Sequence, residues 1–229
     1  MNLPAPFEHS MRCLLGDGYE AFREALLGEP AVSIRLNRSK VSADVPYGPV
    51  PWTTDGYYLK ERPPFTFDPL FHCGGYYVQE AASMFVERAV RQYIGEVRAA
   101  LDLCAAPGGK SFSAAMAMNN QGTIYSCDIH SHRVELIKAG AERLGIKNII
   151  PTVNDATILN EKFLNADCVL CDVPCSGLGI IGKKPEIKYK SLDETKELIP
   201  IQKKILSTAS KYVKKGGTLI YSTCSINPN

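Results

Sequence analysis

At 229 residues, 45% of them hydrophobic and 22% charged, the chain has the composition of a globular protein with one main core and room for a small appendage. No apolar run approaches the ~20 residues of a membrane span, and the start, MNLPAPFEHSMRCLLGDGYEAF, lacks the basic and apolar regions of a secretion signal. Eight cysteines in a chain without such a signal therefore predict a cytoplasmic protein with reduced thiols rather than a secreted disulfide framework, while a net charge of +2 taken alone says little about nucleic acid.

Residues 1–75 read as a small α+β module. A helix is predicted over Phe7–Leu27 and a short strand over Val32–Leu36. From Val45 to Phe71, Pro46, Pro49, Pro51, Pro63, Pro64 and Pro69 exclude a long helix or a central strand. The pattern then changes, and residues 76–229 read as a second domain. Val78, Ala82, Phe85, Val86, Ala89, Val90 and Tyr93 fall at helical spacing. Five short apolar strands follow, at Ala99–Leu103, Thr123–Cys127, Asn148–Val153, Asp167–Cys171 and Thr218–Ser222. Stretches such as His130–Leu144 and Asp193–Val213 between them have helical length and periodicity. Short apolar strands alternating with helices imply a parallel sheet covered on both faces, an α/β doubly wound fold.

Ligands of such sheets bind beyond the carboxyl ends of the strands. There LDLCAAPGGKS (Leu101–Ser111) places two alanines, a proline and Gly108-Gly109 directly after the first strand. Glycine admits close backbone approach, and the next helix offers free N–H groups. The loop is not G-x-G-x-x-G, and Cys104 stands where a phosphate loop needs its first glycine. A polyphosphate ligand is thus not favoured. Asp128, Asp155 and Asp172 end or follow the second, third and fourth strands, where acids converge on one crevice and can hold ribose hydroxyls.

The cysteines divide into two sets. Cys168 and Cys171 have C-x-x-C spacing, but in a strand residues three apart point to opposite faces, and no second pair completes a zinc site. No metal is expected. These two, with Cys104 and Cys127, read as core thiols. Cys175, in DVPCSG, and Cys224, in YSTCS, instead lie in loops past their strands. Position alone leaves them as nucleophilic thiols or as inert loop residues. Between Lys183 and Lys215 stand ten lysines against four acids, a local +6 that would suit phosphates or a solvated helix face.

Taken together, LDLCAAPGGKS, DVPCSGLGIIGKKPEIK and GGTLIYSTCS, in this order and spacing, resemble the cofactor loop and later motifs of the RNA cytosine carbon-5 methyltransferases of the Sun or RsmB/RsmF-like family. SIRLNRSK, VPWTTDGYYL and GGYYVQEAASM resemble the N-terminal module of its RsmF-like bacterial branch, so the likeness covers nearly the whole chain. The resemblance implies a Rossmann-like class I methyltransferase with strand order 3-2-1-4-5, S-adenosyl-L-methionine as cofactor, and RNA as partner. Ribosomal RNA of the 16S type is the implied substrate, with transfer RNA as the alternative. Cys104, Ala105, Ala106, Pro107, Gly108, Gly109 and Lys110 would line the methyl donor. Asp128 would take the ribose hydroxyls, Asp155 would sit near the adenine, and Asp172 would lie between donor and base. Cys224 matches the nucleophile and Cys175 the second cysteine, which releases the product.

Family members continue past the point where this chain ends, five residues after Cys224. The reading is therefore of a C-terminally incomplete domain whose last strand is an uncovered edge, with low stability or self-association expected. A cofactor- or RNA-binding fragment without turnover, and a small-molecule methyltransferase with incidental cysteines, are the rival readings.

Overall fold

The computed structural model describes residues 3–43, 45–93, 97–190 and 196–226. They form two compact units. The larger comprises Val32–Asp172 and Lys204–Tyr221, and the smaller the described residues of Met1–Ala31, Val173–Lys203 and Ser222–Asn229.

In the smaller unit, Phe7–Leu27 is two helices rather than the single one predicted. α1 (Ala5–Leu15) and α2 (Tyr19–Leu27) are separated by a 3-10 turn at Gly16–Gly18. Gly16 takes φ +52°, and its N–H closes α1 on the Arg12 carbonyl. Glycine adopts this left-handed backbone without the strain that a Cβ would bring. The apolar spacing runs through the break because both helices bury the same kind of face. Phe7, Met11 and Tyr19 pack on Leu178, Ile181 and Ile187, which lie more than a hundred residues later in the chain.

The larger unit opens with an antiparallel sheet of four strands, β1 (Val32–Leu36), β2 (Gly48–Pro49), β3 (Gly56–Leu59) and β4 (Tyr76–Val78), in the order β2-β3-β1-β4. Pro49 sits on the two-residue outer strand, where its missing N–H breaks no central ladder. The four-residue helix α3 (Pro69–His72) precedes β4, and α4 (Ala81–Tyr93) follows it. Between this sheet and α4 lies a buried ion pair, Arg35–Glu87, at 2.6 Å. A cavity of about 350 Å³ opens beside it, and its charged walls pair among themselves, Arg35 and Arg91 with Glu87 and Arg38 with Asp55.

The five predicted strands of the second sheet are all present: β5 (Ala99–Asp102), β6 (Thr123–Asp128), β7 (Ile149–Val153), β8 (Ala166–Asp172) and β9 (Val213–Ser222). Their order is β7-β6-β5-β8-β9, which is 3-2-1-4-5 counted within this sheet. β5 runs parallel to β6 and β8, and β6 parallel to β7. Cys168, Val169, Leu170 and Cys171 are all buried, so β8 needs an unbroken apolar run rather than an alternating one. β9 begins five residues before the predicted start, and its side chains stay half-buried or exposed at the edge of the sheet.

Three helices belong to this sheet's chain: α5 (Gly109–Ala117), α6 (Ser131–Leu144) and α7 (Leu198–Tyr212). The beginning of the helix predicted over Asp193–Val213, residues 193–195, lies outside the described residues. Phe112, Ala114 and Ala115 of α5 and Ile137 and Ala141 of α6 join Ile124 and Leu170 in the main core. Among the described residues no helix is long and apolar enough to cross a membrane.

Candidate functional site

In the larger unit, parallel strands in register bring their carboxyl ends level, and the predicted cofactor residues collect there. The chain leaves β5 at Asp102 and turns through Cys104–Gly108 into α5. Backbone bonds tie this turn to both neighbours: Leu103 N donates to the Leu170 carbonyl at 3.0 Å and Ala105 N to the Cys127 carbonyl at 2.8 Å. Gly108 takes φ +112°, and a Cβ there would lie 2.3 Å from the Phe112 ring. A side chain at this position would force the first turn of α5 apart, so the loop requires glycine.

Asp128, at the end of β6, is buried and paired with Arg133 at 3.0 Å. Arg133 also donates to the Ala106 carbonyl at 2.9 Å, which links this carboxylate to the loop. Asp172, at the end of β8, pairs with Lys110 at 2.6 Å. Asp155 lies two residues past β7 and accepts the Thr157 N–H and hydroxyl at 2.8 and 2.7 Å, stiffening its own turn. The Asn154 N–H reaches the Asp128 carbonyl at 3.0 Å, so this turn is fastened to the end of β6. The structure thus joins the loop to Asp128 through Arg133, to Asp172 through Lys110, and ties the Asp155 turn to the end of β6 through the backbone.

Two residues of this site were not singled out from the sequence, Asp102 and Arg133. Asp102 is fully buried beneath the loop and accepts the Ser111 hydroxyl at 2.7 Å, which in turn accepts that of Ser126 at 2.8 Å. Its other carboxylate oxygen has no hydrogen-bond partner among the described residues. The available signal is an acid inside an apolar run, Leu101-Asp102-Leu103.

Burial pushes the Asp102 carboxyl up from 3.8 to about 6, against the opposing pull of the Ser111 hydroxyl and the Lys110 charge. The folded protein therefore holds this proton more tightly than the unfolded chain does. The resulting stabilisation is complete below the unfolded value of 3.8 and is lost as pH rises through about 6. A shift of about two pKa units corresponds to roughly 3 kcal/mol. Asp102→Asn is expected to gain on the wild type by ~1–3 kcal/mol between about pH 4 and about pH 8, read from urea unfolding at both. A pH-independent difference would contradict this origin.

The smaller unit holds the two loop cysteines. Cys175 follows Pro174 in a turn whose Gly177 has φ +78°. Its loop is laced to that of Cys224 by backbone bonds from Val173 N to the Ser222 carbonyl at 3.1 Å and from Gly179 N to the Cys224 carbonyl at 2.7 Å. The Ser176 and Ser225 hydroxyls meet at 2.6 Å. These contacts bring the two Sγ atoms to 2.9 Å, while the Cys224 N–H donates to Cys175 Sγ at 3.2 Å. Both thiols are half-buried. The same unit exposes Lys183, Lys184 and Lys190, but buries Lys188, whose ammonium lies 5.0 Å from the Tyr189 ring centroid.

Four further thiols lie in the second sheet and its cofactor loop. Burial, aided by nearby carboxylates, pushes Cys104, Cys127 and Cys168 up to about 12, and Cys171 is raised as well. At neutral pH they are protonated and poor nucleophiles. Among the described residues no cluster of three or more His, Cys, Asp or Glu side chains could hold a metal ion.

Residues 94–229 match the sequence family described as 16S rRNA methyltransferase RsmB/F, and residues 3–81 match the one described as the N-terminal domain of 16S rRNA methyltransferase RsmF. The chain is 45% identical over 160 residues to the probable ribosomal RNA small subunit methyltransferase B of Bacillus subtilis, covering 69% of this chain and 35% of that protein. It is 32% identical to ribosomal RNA small subunit methyltransferase F of Pectobacterium atrosepticum, over 99% of this chain and 50% of that protein. The crystal structure of PH0851 superposes with a TM-score of 0.90 at 32% identity, over 98% of this chain and 53% of that one. The chain thus spans half or less of the length of these two curated relatives. The loop after β5, the carboxylates at the next strand ends and the paired thiols all fall within residues 94–229, and the chain belongs to the RsmB/F family of 16S rRNA methyltransferases.

Proposed function

We propose that this chain carries the working parts of an enzyme that methylates carbon 5 of cytosine in RNA, using S-adenosylmethionine, with small-subunit ribosomal RNA as the substrate and the cytoplasm as its location. The observation that carries the cytosine reading is the meeting of two thiols, Cys175 and Cys224, at 2.9 Å. A pyrimidine carbon 5 is a poor nucleophile, and two thiols answer the two difficult steps of its methylation.

Cys104–Lys110, Asp128, Asp155 and Asp172 would hold the cofactor. These residues and Asp102 make four carboxylates, Asp102, Asp128, Asp155 and Asp172, against two cations, Lys110 and Arg133, which pair with Asp172 and Asp128. That surplus of negative charge disfavours a polyphosphate and suits a sulfonium with an ammonium group. The unpartnered oxygen of Asp102 and the N–H groups of the first turn of α5 are unspent hydrogen-bonding capacity of the kind a polar ligand takes up. When bound, S-adenosylmethionine supplies an electrophilic methyl group for carbon 5.

The Cys224 thiolate adds to carbon 6 of the base, and the electrons of the 5,6 double bond make carbon 5 enamine-like. Asp172 hydrogen-bonds the polar edge of the pyrimidine and stabilises the adduct. Once carbon 5 carries the methyl group, Cys175 or a water it orders removes the carbon-5 proton. The double bond re-forms, the bond from carbon 6 to sulfur breaks, and Cys224 leaves as thiolate. The target base must leave its stack for this chemistry, which favours single-stranded or loop RNA. Lys183, Lys184 and Lys190 supply cations for the phosphates, so RNA affinity should fall as salt rises.

The test is methyl transfer from labelled S-adenosylmethionine to total bacterial RNA, digested to nucleosides and fractionated by RNA class. Label in 5-methylcytidine of small-subunit RNA is the expected result. Label in transfer RNA would reassign the substrate, and label in another nucleoside would overturn the cytosine reading.

A further inference from the structure

We infer that Gln79 is a positioning residue for the cofactor loop, acting on the first turn of α5 through Gly109 and Ser113. The inference rests on the S-adenosylmethionine reading above.

Gln79 follows β4 directly and is 5% exposed. Its main chain is held to β1, with its N–H on the Ser33 carbonyl at 3.2 Å and its own carbonyl accepting the Ser33 hydroxyl at 2.5 Å. Its side-chain oxygen accepts Arg35 Nε at 2.9 Å. A guanidinium can only donate, so this contact fixes which way round the amide sits. Nε2 is thereby left to donate to the Gly109 carbonyl and the Ser113 hydroxyl, both at 3.2 Å. Arg35 is itself immobilised by Glu87, so the chain of contacts from a buried ion pair to the loop is unbroken.

Gly109 is the first residue of α5, immediately after the left-handed Gly108. A Cβ on Gly109 would lie 3.3 Å from the Tyr77 ring and 3.6 Å from Gln79 Nε2. Tyr77 also packs edge-on against Phe112, at 5.3 Å between centroids. The N-terminal sheet therefore bears directly on the backbone whose N–H groups would meet the cofactor. Where those donors point depends on the pose of this one turn, and binding sites tolerate little displacement. This gives the N-terminal sheet a part in cofactor binding in addition to whatever it contributes to stability.

The experiment measures the Kd for S-adenosylmethionine by calorimetry for the wild type, Gln79→Glu and Gln79→Met, alongside the ligand-free melting temperature of each. Glutamate keeps the size and the bond to Arg35 but opposes an acceptor to the Gly109 carbonyl. Methionine keeps the length and removes the side-chain hydrogen bonds while leaving the main-chain bonds to Ser33 in place. The expected result is about tenfold weaker binding for Gln79→Glu and roughly threefold to tenfold weaker for Gln79→Met. Gln79→Glu adds a second carboxylate beside the buried Arg35–Glu87 pair and should melt below the wild type, so each Kd is read at a temperature where that variant is fully folded. Weaker binding by folded protein is what a purely structural role would not produce. Binding within about twofold of wild type in both folded variants would overturn the inference. If either variant fails to fold, Ser113→Ala removes the other Nε2 partner on α5 while leaving the buried charges intact, and an unchanged Kd there overturns it equally. A wild type that does not bind S-adenosylmethionine would instead sink the cofactor reading itself, and this inference with it.

Discussion

Cys224→Ala is expected to reduce methyl transfer to RNA by at least roughly a thousandfold, whereas Cys175→Ala should leave RNA covalently attached to the protein. The two outcomes differ because the two sulfurs are proposed to act at opposite ends of the reaction. Without the Cys224 sulfur no bond to carbon 6 forms, carbon 5 stays electron-poor, and neither product nor adduct appears. Without the Cys175 sulfur the adduct still forms and carbon 5 is still methylated. Removal of the carbon-5 proton then slows, by about a hundredfold or more if this group is the base.

The Cys224 N–H donates to Cys175 Sγ at 3.2 Å, which favours the thiolate of Cys175, the deprotonated form that a base must start from. The sulfurs lie 2.9 Å apart, within reach for passing a proton between them. The check is a denaturing gel of each variant incubated with RNA and cofactor, beside the label assay. A slow-migrating protein–RNA band should appear for Cys175→Ala, be faint for the wild type, and be absent for Cys224→Ala and for the double variant. A band that survives in Cys224→Ala would assign the nucleophile elsewhere.

Glu87→Ala should be the most damaging single change to stability, about 3–5 kcal/mol. Arg35 and Glu87 are each 2% exposed in their side chains and meet at 2.6 Å. Truncating Glu87 leaves a guanidinium in the interior with the neutral acceptors Gln79 and Thr53, at 2.9 and 3.2 Å. It also frees Arg91, which reaches Glu87 at 2.7 Å from a half-exposed position. Replacing both partners by apolar residues, as in Arg35→Met with Glu87→Leu, should recover much of the loss, because no unpaired charge then remains.

The pair also sets an acid limit. Burial alone would raise the Glu87 carboxyl, but the Arg35 charge and hydrogen bonds from Thr53, Arg91 and Arg35 hold it below its ordinary 4.5. Its folded value is depressed, so its stabilisation is present above 4.5 and is lost as pH falls through the lower folded value. Urea unfolding of the single and double variants at neutral pH reads the effect. A loss under about 1 kcal/mol for Glu87→Ala would mean that water reaches Arg35 after truncation.

Much of the second sheet was legible because its strands are continuous apolar runs, and those of β5 and β8 are buried on both faces. The cofactor loop was legible for a local reason too: glycines, small residues and a lysine stand directly after an apolar run. The single helix predicted over Phe7–Leu27 shows the limit of such reading. Apolar spacing continues across Gly16–Gly18, and only the left-handed backbone at Gly16 reveals the break. Arg35 and Glu87 were passed over because an arginine in a short strand and a glutamate on an amphipathic helix usually face water. Their burial depends on β1 and α4 coming together, which no window of neighbouring residues encodes.

Fold class, strand order by family likeness, the loop Leu101–Ser111 and the interest of Cys175 and Cys224 were determined by the sequence alone. These rest on periodicity, turn chemistry and motif order, which are properties of adjacent residues. Only the tertiary structure decided that two sulfurs 49 positions apart lie 2.9 Å from each other, that Asp102 is buried with one oxygen unpartnered, and that Gln79 reaches Gly109. Each of these is set by which groups lose water together when the chain packs. That choice belongs to the whole fold, because desolvation and hydrogen-bond satisfaction are settled among segments distant in the chain.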